Sequence, residues 1–322
     1  MLSRVAESIY WMARHVERAE NTARLVNVNI NLMLDLPRKA RPGWEVLIEI
    51  MGSEQLFGEL YKRSDERSVI KFLLTDMRNP GSMLASLRQA RENARTIRDI
   101  IPREAWEQLN GLYHEARDNQ NSGLSQKGRY QYLRSVILGA QTVTGILAGT
   151  MTQDHGYGFL RMGRNLERAD MTTRIIDVRA GDLMPVEADE THVPYENLQW
   201  MSVLKSLTGY QMYRREMQVR VQRPAVLRFL LKDARFPRAL KHCLGQVHDC
   251  LAQLPRSESP LKIAKRVTKH VDNTDIDALE PAALHEFIDV LQFELAEVNN
   301  AITSTYFRHE PPRKSTSTAA RS

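Results

Sequence analysis

The chain has 322 residues, of which 42% are hydrophobic and 26% are charged, as in ordinary globular proteins. This composition excludes a disordered body, and the length predicts a sizeable core and about two domains. The formal net charge is +6, but 45 basic residues are interspersed with 39 acidic ones. Because no basic stripe with interleaved aromatic residues is present, nucleic-acid binding is only a weak alternative, one that would require steeply salt-dependent affinity.

The first predicted helix is the clearest element of the chain. Apolar residues recur at alternating spacings of four and three, which is the period of an amphipathic helix. They are Val5, Ile9, Met12, Val16, Ala19, Ala23, Val26, Ile30 and Met33. Pro37 ends the pattern because proline cannot continue a helix. We expect this apolar stripe to be the packing seam of a helical bundle.

Helices are predicted along almost all of the remaining chain, separated by proline and glycine. The segments are 44–62, 65–77, 82–101, 103–118, 128–151, 196–220, 224–233, 238–254, 260–270 and 280–306. A further helix follows Asp154 and repeats the apolar seam with Phe159, Met162, Leu166, Ala169, Thr173 and Ile176. No alternating apolar and polar run competes as a strand, so the predicted fold class is all-α. Two stretches differ: residues 180–195 form an acidic surface crossover, with a lid as the alternative, and 307–322 form a low-complexity tail that we expect to be disordered.

One helical segment occurs twice, at an offset of 150 residues. Eight of the 17 aligned pairs from Met12–Val28 and Met162–Val178 are identical, where average composition would give about one. The charged residues are repeated together with the apolar ones. The identical pairs are Met12/Met162, Arg14/Arg164, Glu17/Glu167, Arg18/Arg168, Ala19/Ala169, Thr22/Thr172, Arg24/Arg174 and Val28/Val178.

A second pair of segments extends the repeat beyond this helix. Residues 69–80 and 226–237 share seven of 12 positions at an offset of 157. A repeat of about 150 residues is too long for a solenoid, whose units have about 20–50 residues. We therefore predict a tandem duplication of a helical bundle, with repeats at 1–150 and 151–306 that are related by a pseudo-twofold axis.

Helical geometry places the repeated charges on one flank of each helix. Glu17 and Arg24 are seven residues apart and nearly eclipsed along the helix, and Glu20 lies beside them, four residues before Arg24. One arginine could therefore bridge two carboxylates. Glu167, Asp170 and Arg174 take the same places in the second copy. The flank also carries small residues, so a neighbouring helix could approach closely and bury the charges.

Three interpretations of these charges remain open on the sequence. They could form a buried structural network that fixes the packing. They could instead meet in one polar cleft, where arginines hold a carboxylate or phosphate and a carboxylate acts as base or metal ligand. The third interpretation is a surface that docks a partner. The candidate residues are Arg14, Glu17, Arg18, Glu20, Arg24, Asp154, Arg164, Glu167, Arg168, Asp170 and Arg174.

Established catalytic signatures do not occur in the sequence. No glutamate precedes a histidine by three residues, which excludes a ferritin-like di-iron site, and P-loop, dinucleotide-binding, zinc-protease and serine-hydrolase motifs are missing. Asp154 is most simply the N-cap of the second repeated helix. His242 and His248 lack a zinc-ligand spacing. We expect no metal and no cofactor, and the catalytic residues, if there are any, stay unassigned.

The sequence gives no sign of a targeting or membrane segment. Its first residues, Met1–Glu7, place charges where a signal peptide needs an apolar core, and the least polar run, 135–151, is too short and too polar to span a bilayer. Cys243 and Cys250 are seven residues apart on one predicted helix, so both can face the core of the protein. We expect both to be free thiols. These features together favour a reducing cytoplasm.

The motif-bearing segments resemble the bacterial alpha-E family, which is named for a predicted all-helical fold with a Glu-Arg motif. The resemblance rests on residues 3–11 leading into the first motif, on 154–157 leading into the second, and on 229–231 with 236–238. It covers nearly the whole chain except the tail. Ala13 stands where the family pattern has glycine.

The resemblance implies which genes typically stand beside this one, but no specific reaction. Similar proteins are typically encoded beside a circularly permuted ATP-grasp ligase and a transglutaminase-like cysteine peptidase, in a system proposed to synthesise or modify peptides. It implies a helical accessory that holds the ligase or its peptide substrate. The alternative is an enzyme of that system whose site is the pair of Glu-Arg clusters.

Overall fold

The computed structural model describes residues 3–37, 39, 41–182 and 193–307, and these form an all-helical fold without strands. The helices of the first half are α1 Ser3–Asp35, α2 Val46–Ile50, α3 Glu54–Leu60, α4 Glu66–Leu74, α5 Met83–Thr96, α6 Arg103–Asp118, α7 Gln120–Leu124 and α8 Gln126–Thr150. Those of the second half are α9 His155–Asp182, α10 Val193–Ser206, α11 Tyr210–Met217, α12 Arg223–Lys232, α13 Leu240–Ala252, α14 Glu258–Asn273 and α15 Pro281–Ile302. The all-α prediction is confirmed.

Two predicted helices are each divided into two in the structure. The segment 44–62 breaks at Gly52, whose φ of 59° is left-handed and therefore suits glycine. The segment 196–220 breaks at Thr208, with a φ of 56°. The short helix α7 was not predicted. Elsewhere the predicted segments agree with the observed helices to within a few residues.

The predicted crossover and tail lie mostly outside the described residues. Helix α9 continues to Asp182 and α10 begins at Val193, so both ends of the 180–195 segment are helical. Residues 183–192 and 308–322 belong to the part that is not described. At the start of the predicted tail, Phe307 is buried at the end of a π-helical turn, Thr303–Phe307.

Helices α1 and α9, which carry the two motifs, pack against each other at the centre of the molecule. Helix α1 also contacts α5, α8 and α10, and α9 also contacts α13 and α15. The predicted seam explains this position, because Ile9, Met12, Val16, Ala19 and Val26 are all buried. Since a second flank of α1 is buried as well, this helix is enclosed on several sides.

A single hydrophobic core runs through both halves of the chain. Its largest fully buried side chains include Trp200, Tyr10, Tyr213, Phe72 and Phe229. No described helix is long and apolar enough to cross a bilayer.

The two cysteines lie in this same core. Cys243 and Cys250 are both buried free thiols on α13. Burial raises the pKa of the Cys243 thiol to about 12, so this thiol is protonated and unreactive at neutral pH.

Helices α1 and α9 come unusually close at Gly163. A Cβ atom built on Gly163 would lie 2.3 Å from the carbonyl oxygen of Tyr10, a separation that real Cβ atoms do not show. The predicted close approach of a second helix is therefore confirmed, and the glycine makes it sterically feasible.

We expect Gly163→Ala to lower the free energy of unfolding by about 1–3 kcal/mol, because the added methyl group must push the two backbones apart. Gly158→Ala is the matched control on the same helix, since a Cβ atom there meets nothing within 4 Å; it should be neutral or raise stability by about 0.5–1 kcal/mol. Urea titrations followed by circular dichroism measure both. Equal effects of the two variants would argue against the close contact.

Candidate functional site at the crossing of the two motif helices

The two motif glutamates are paired with arginines of the opposite helix. In one direction, Glu167 Oε2 lies 2.8 Å from Arg14 Nε, and Glu167 Oε1 lies 2.5 Å from Arg18 Nε. In the other, Glu17 Oε2 lies 3.0 Å from Arg168 Nε. Because 17 and 18 correspond to 167 and 168 at the offset of 150, these glutamate-arginine contacts are reciprocal.

The two motif glutamates do not line the cleft that lies beside the crossing, although Glu20 and Arg168 do. The two motifs meet directly, and only 2% of Glu17 and 1% of Glu167 is exposed. The predicted burial of the charges is therefore correct, but the partners of each glutamate come from the other helix.

The expected bridging of two carboxylates by one arginine within a helix is wrong. Arg24 Nη2 binds Glu20 Oε1 at 2.7 Å, and Arg174 Nε binds Asp170 Oδ2 at 3.0 Å. These are ordinary pairs between residues four apart. Glu17 is not bridged to Arg24, because its oxygens turn towards arginines of other elements.

A further arginine, absent from the predicted set, completes the network. Arg238 precedes α13, and its Nη1 lies 2.6 Å from Glu17 Oε1 and donates to Asn21 Oδ1 at 2.7 Å. Its Nη2 donates to Glu20 Oε1 at 3.0 Å. The repeat could not reveal Arg238, because position 81, its counterpart at the offset of 157, is glycine.

Arg14 connects the network to the last helix. Its Nη1 donates to Asn299 Oδ1 at 2.7 Å, and the Tyr10 hydroxyl donates to the same oxygen at 2.7 Å. Asn299 is a residue of α15, near the C-terminal end of the described chain. The charged cluster thus ties α1 to α9, to α15 and to the segment before α13.

The surroundings keep both glutamates ionised. Burial by itself would raise the pKa of Glu167, but the charges and hydrogen bonds of Arg18 and Arg14 outweigh it and lower the pKa to about 2. Burial also opposes ionisation of Glu17, and Arg168, Arg238 and Arg164 lower its pKa. Neither carboxylate can act as a general acid at neutral pH, and neither has free access to a substrate.

Arg164 is the exception to the reciprocal pattern. Its counterpart Arg14 binds Glu167, so Arg164 would be expected on Glu17, but Arg238 occupies that place. Among the described residues no carboxylate forms an ion pair with Arg164, and its Nε is buried without a hydrogen-bond partner. Burial and then repulsion from Arg168 lower the pKa of Arg164 below its ordinary value.

Asp154 has the structural role that the sequence favours. Its Oδ1 accepts hydrogen bonds from the backbone N–H groups of Gly156, at 2.8 Å, and Tyr157, at 3.2 Å. This is the geometry of a helix N-cap. Asp154 therefore begins α9 and does not join the charged cluster.

Three cavities lie near charged residues in the described part of the chain, and the smallest, of about 10 Å³, has Glu17 and Arg164 in its wall. A cleft of about 190 Å³ adjoins the network and is lined by Glu20, Gln141, Thr144, Arg168, Thr208, Phe236, Pro237 and Arg238. A larger one of about 570 Å³ lies away from it, where Arg129 pairs with Glu66 at 2.7 Å. The motif reaches two of these cavities, and the cleft of about 190 Å³ is the larger of the two.

One group of described side chains has a spacing suited to a metal ion. Asp177, His285 and Asp289 offer ligand atoms within 4.8 Å of one another. His285 Nδ1 already contacts Asp177 Oδ1 at 2.6 Å, and His285 and Asp289 are exposed. An exposed ion-paired cluster explains these contacts without a metal.

The family to which this chain is similar is described by the same two features, an all-helical fold and a Glu-Arg motif. The family model Alpha-E, described as a predicted alpha-helical domain with a conserved ER motif, matches residues 1–307. The chain belongs to the Alpha-E family. In this Alpha-E chain, the Glu-Arg pairs at 17–18 and 167–168 form the reciprocal contacts between α1 and α9.

Curated relatives of this Alpha-E chain occur in mycobacteria. An uncharacterized protein of Mycobacterium bovis and one of Mycobacterium tuberculosis strain CDC 1551 are each 25% identical over 315 residues, covering 92% of this chain and 34% of the relative. A protein of M. tuberculosis strain H37Rv, also uncharacterized, is 24% identical over the same length and shares. The chain thus spans about a third of the length of these relatives. No solved structure matches.

We expect Glu167→Gln to lower the free energy of unfolding by about 3–5 kcal/mol, because it leaves Arg14 and Arg18 without their buried counter-charge. Glu107→Gln is the control: Glu107 pairs with Arg103 at 2.7 Å on the surface, and such a pair contributes at most about 1 kcal/mol. Chemical denaturation measures both changes. A Glu167→Gln protein of wild-type stability would show that the network does not hold the fold.

The contribution of Glu167 should disappear in acid. Its pKa falls from 4.5 to about 2 on folding, so ionised Glu167 stabilises the protein fully above pH 4.5, and this stabilisation is lost as the pH falls towards 2. The difference in unfolding free energy between wild type and Glu167→Gln should therefore shrink over this window. Denaturation at a series of pH values tests it, and a constant difference would contradict the assignment.

Proposed function

We propose that this chain is a helical partner of an ATP-grasp amide ligase in a system that also contains a transglutaminase-like peptidase and that synthesises or modifies peptides. It holds the ligase or its peptide substrate and catalyses no step by itself. The observation that carries this proposal is the enclosure of Glu17 and Glu167, whose side chains are buried and occupied by arginines. Buried glutamates that are paired with arginines in this way stabilise the packing of the helices.

The lengths of the relatives also support a function carried out together with another protein or domain. This chain covers 34% of each listed mycobacterial relative, so in those proteins the matching unit is joined to further sequence. Covalent joining keeps two units together at a high effective concentration. A unit that works with a partner benefits from the higher effective concentration, whereas a unit that works alone does not.

Exposed apolar side chains on α15 offer a surface for such a partner. Val290 and Phe293 lie three residues apart, on one face of the helix, with exposed fractions of 47% and 67%. Large exposed apolar side chains that cluster are typical of binding surfaces. We therefore assign the docking of the ligase to this face of α15.

The duplication is part of the same proposal. The reciprocal contacts of Glu17 with Arg168 and of Glu167 with Arg18 support two equivalent repeats, 1–150 and 151–306, related by a pseudo-twofold axis through the α1–α9 crossing. In this arrangement each repeat supplies the counter-ions of the other. The symmetric interface is then the scaffold on which the rest of the molecule is built.

The alternative, an enzyme that uses the paired Glu-Arg clusters, is favoured by one observation only. The cleft beside the network is lined by Arg168 and Arg238, which could hold a carboxylate or phosphate group. A base is missing from it, because its one carboxylate, Glu20, already contacts Arg24 and Arg238. This cleft fits binding better than proton transfer.

We expect the chain to co-purify with an ATP-grasp ligase of this system and to change the ligase's ATP turnover, while hydrolysing no ATP alone. Val290→Ser with Phe293→Ser should weaken the complex without unfolding the chain. Leu34→Ser is the control, since Leu34 is 74% exposed on α1. Pull-down and ATPase assays give the readout. Neither co-purification nor altered turnover with wild-type protein would refute the partner role.

A further inference from the structure

The cleft beside the motif network has the features of a small ligand site. It lies where α8, α9 and the segment before α13 meet, and its volume is about 190 Å³. This is smaller than the roughly 300–1,000 Å³ of pockets for drug-sized molecules. Charged, polar and aromatic side chains all contribute to its wall. A ligand of about one amino acid in size would fit.

Arg168 presents unused hydrogen-bond donors to this cleft. Its Nε lies 3.0 Å from Glu17 Oε2, an ion pair in which this Nε forms no hydrogen bond, and no other ion pair of Arg168 occurs among the described residues. Its side chain is 16% exposed and lines the cleft. A guanidinium group carries five N–H donors in a planar fork, so the terminal nitrogens of Arg168 are free to bind an anion.

Arg164 adds a second positive charge, which forms no ion pair with a carboxylate of the described chain although the charge of Glu17 acts on it. It lies one turn before Arg168 on α9 and lines a neighbouring pocket of about 10 Å³ together with Thr144, which also lines the cleft. Because Arg238 has taken the place of Arg164 on Glu17, the charge of Arg164 remains without an ion pair in the described chain. Burying an unpaired charge is costly, and a bound anion would offset that cost.

The charges around the cleft are therefore unequal. Two carboxylates, Glu17 and Glu20, face four arginines, which are Arg24, Arg164, Arg168 and Arg238. On the opposite side of the crossing, Glu167 and Asp170 face three arginines, Arg14, Arg18 and Arg174. Arginines outnumber carboxylates on both sides, by two on the cleft side and by one on the other, and of the residues on the cleft side Glu20, Arg168 and Arg238 line the cleft itself.

The wall of the cleft favours a carboxylate over a phosphate. Phe236 and Pro237 form an apolar wall, and the Phe236 ring stacks on Phe229 at 4.6 Å. Glu20 also lines the cleft, and its negative charge repels a phosphate dianion more strongly than a carboxylate. The planar fork of Arg168 matches the two oxygens of a carboxylate.

We propose that this cleft binds a small monoanionic carboxylate that carries an apolar group, with the carboxylate on Arg168 and the apolar group against Phe236 and Pro237. This site goes beyond the partner role, because it assigns a ligand to the chain itself. Thr208, at the edge of the cleft, has a φ of 56°, which is rare for a β-branched residue. Such strained residues concentrate at functional sites.

The test is a calorimetric titration of the full chain with N-acetyl-L-phenylalanine, with its carboxamide and with inorganic phosphate. The acid should bind saturably at millimolar or lower concentration, and the carboxamide and phosphate should bind roughly tenfold or more weakly, because a charged hydrogen-bonded pair is lost or mismatched. Absence of saturable binding by the acid, equal binding of acid and amide, or a preference for phosphate would each overturn the proposal.

Variants locate the site. Arg168→Gln should weaken binding by roughly tenfold or more, whereas Arg103→Gln, which alters an exposed arginine of α6 away from the cleft, should leave the affinity nearly unchanged. Gln141 is exposed and lines the cleft, so Gln141→Glu should keep the fold and repel the ligand, which decides the matter if Arg168→Gln does not fold. Equal effects of Arg103→Gln and Arg168→Gln, or undiminished binding by Gln141→Glu, would refute this site. A negative outcome would leave co-purification with the ligase unaffected.

Discussion

The structure depends on the exchange of counter-ions between α1 and α9. Two glutamates are removed from water, which is strongly unfavourable unless each meets a guanidinium at ion-pair distance. Glu167 takes Arg14 and Arg18, and Glu17 takes Arg168. Because either helix in isolation lacks these partners, the pairs are complete only when the two helices cross in one register.

The remaining features of the centre of the molecule follow from that crossing. The backbones must come close for the side chains to reach, and Gly163 against Tyr10 provides the space. Asn299 of α15 and Arg238 before α13 then supply the remaining polar contacts. Residues distant in sequence are thereby fixed around one small cluster, and an apolar core of both halves encloses it.

The reciprocity is incomplete beside the cleft, because Arg18 donates to Glu167 through Nε and Nη2 whereas the equivalent Arg168 Nε has no hydrogen-bond partner. Arg238 fills the position on Glu17 that the repeat would give to Arg164. A purely structural network would gain little from an extra buried arginine, because an unpaired charge destabilises the fold. The cluster therefore combines reciprocal ion pairs at the crossing with a larger excess of positive charge on the side of the cleft.

The sequence by itself determined the helices, the repeated motif and the flank of each helix that carries its charges, because helical periodicity and capping are local. The N-cap role of Asp154 and the seam of α1 were predicted for this reason, whereas the breaks at Gly52 and Thr208 depend on backbone conformations that packing selects. Periodicity shows which face of a helix a charge occupies, but not which helix will cover that face. Only the tertiary structure decided that Glu17 pairs with Arg168 and Arg238, since ion pairs form between residues that folding brings together.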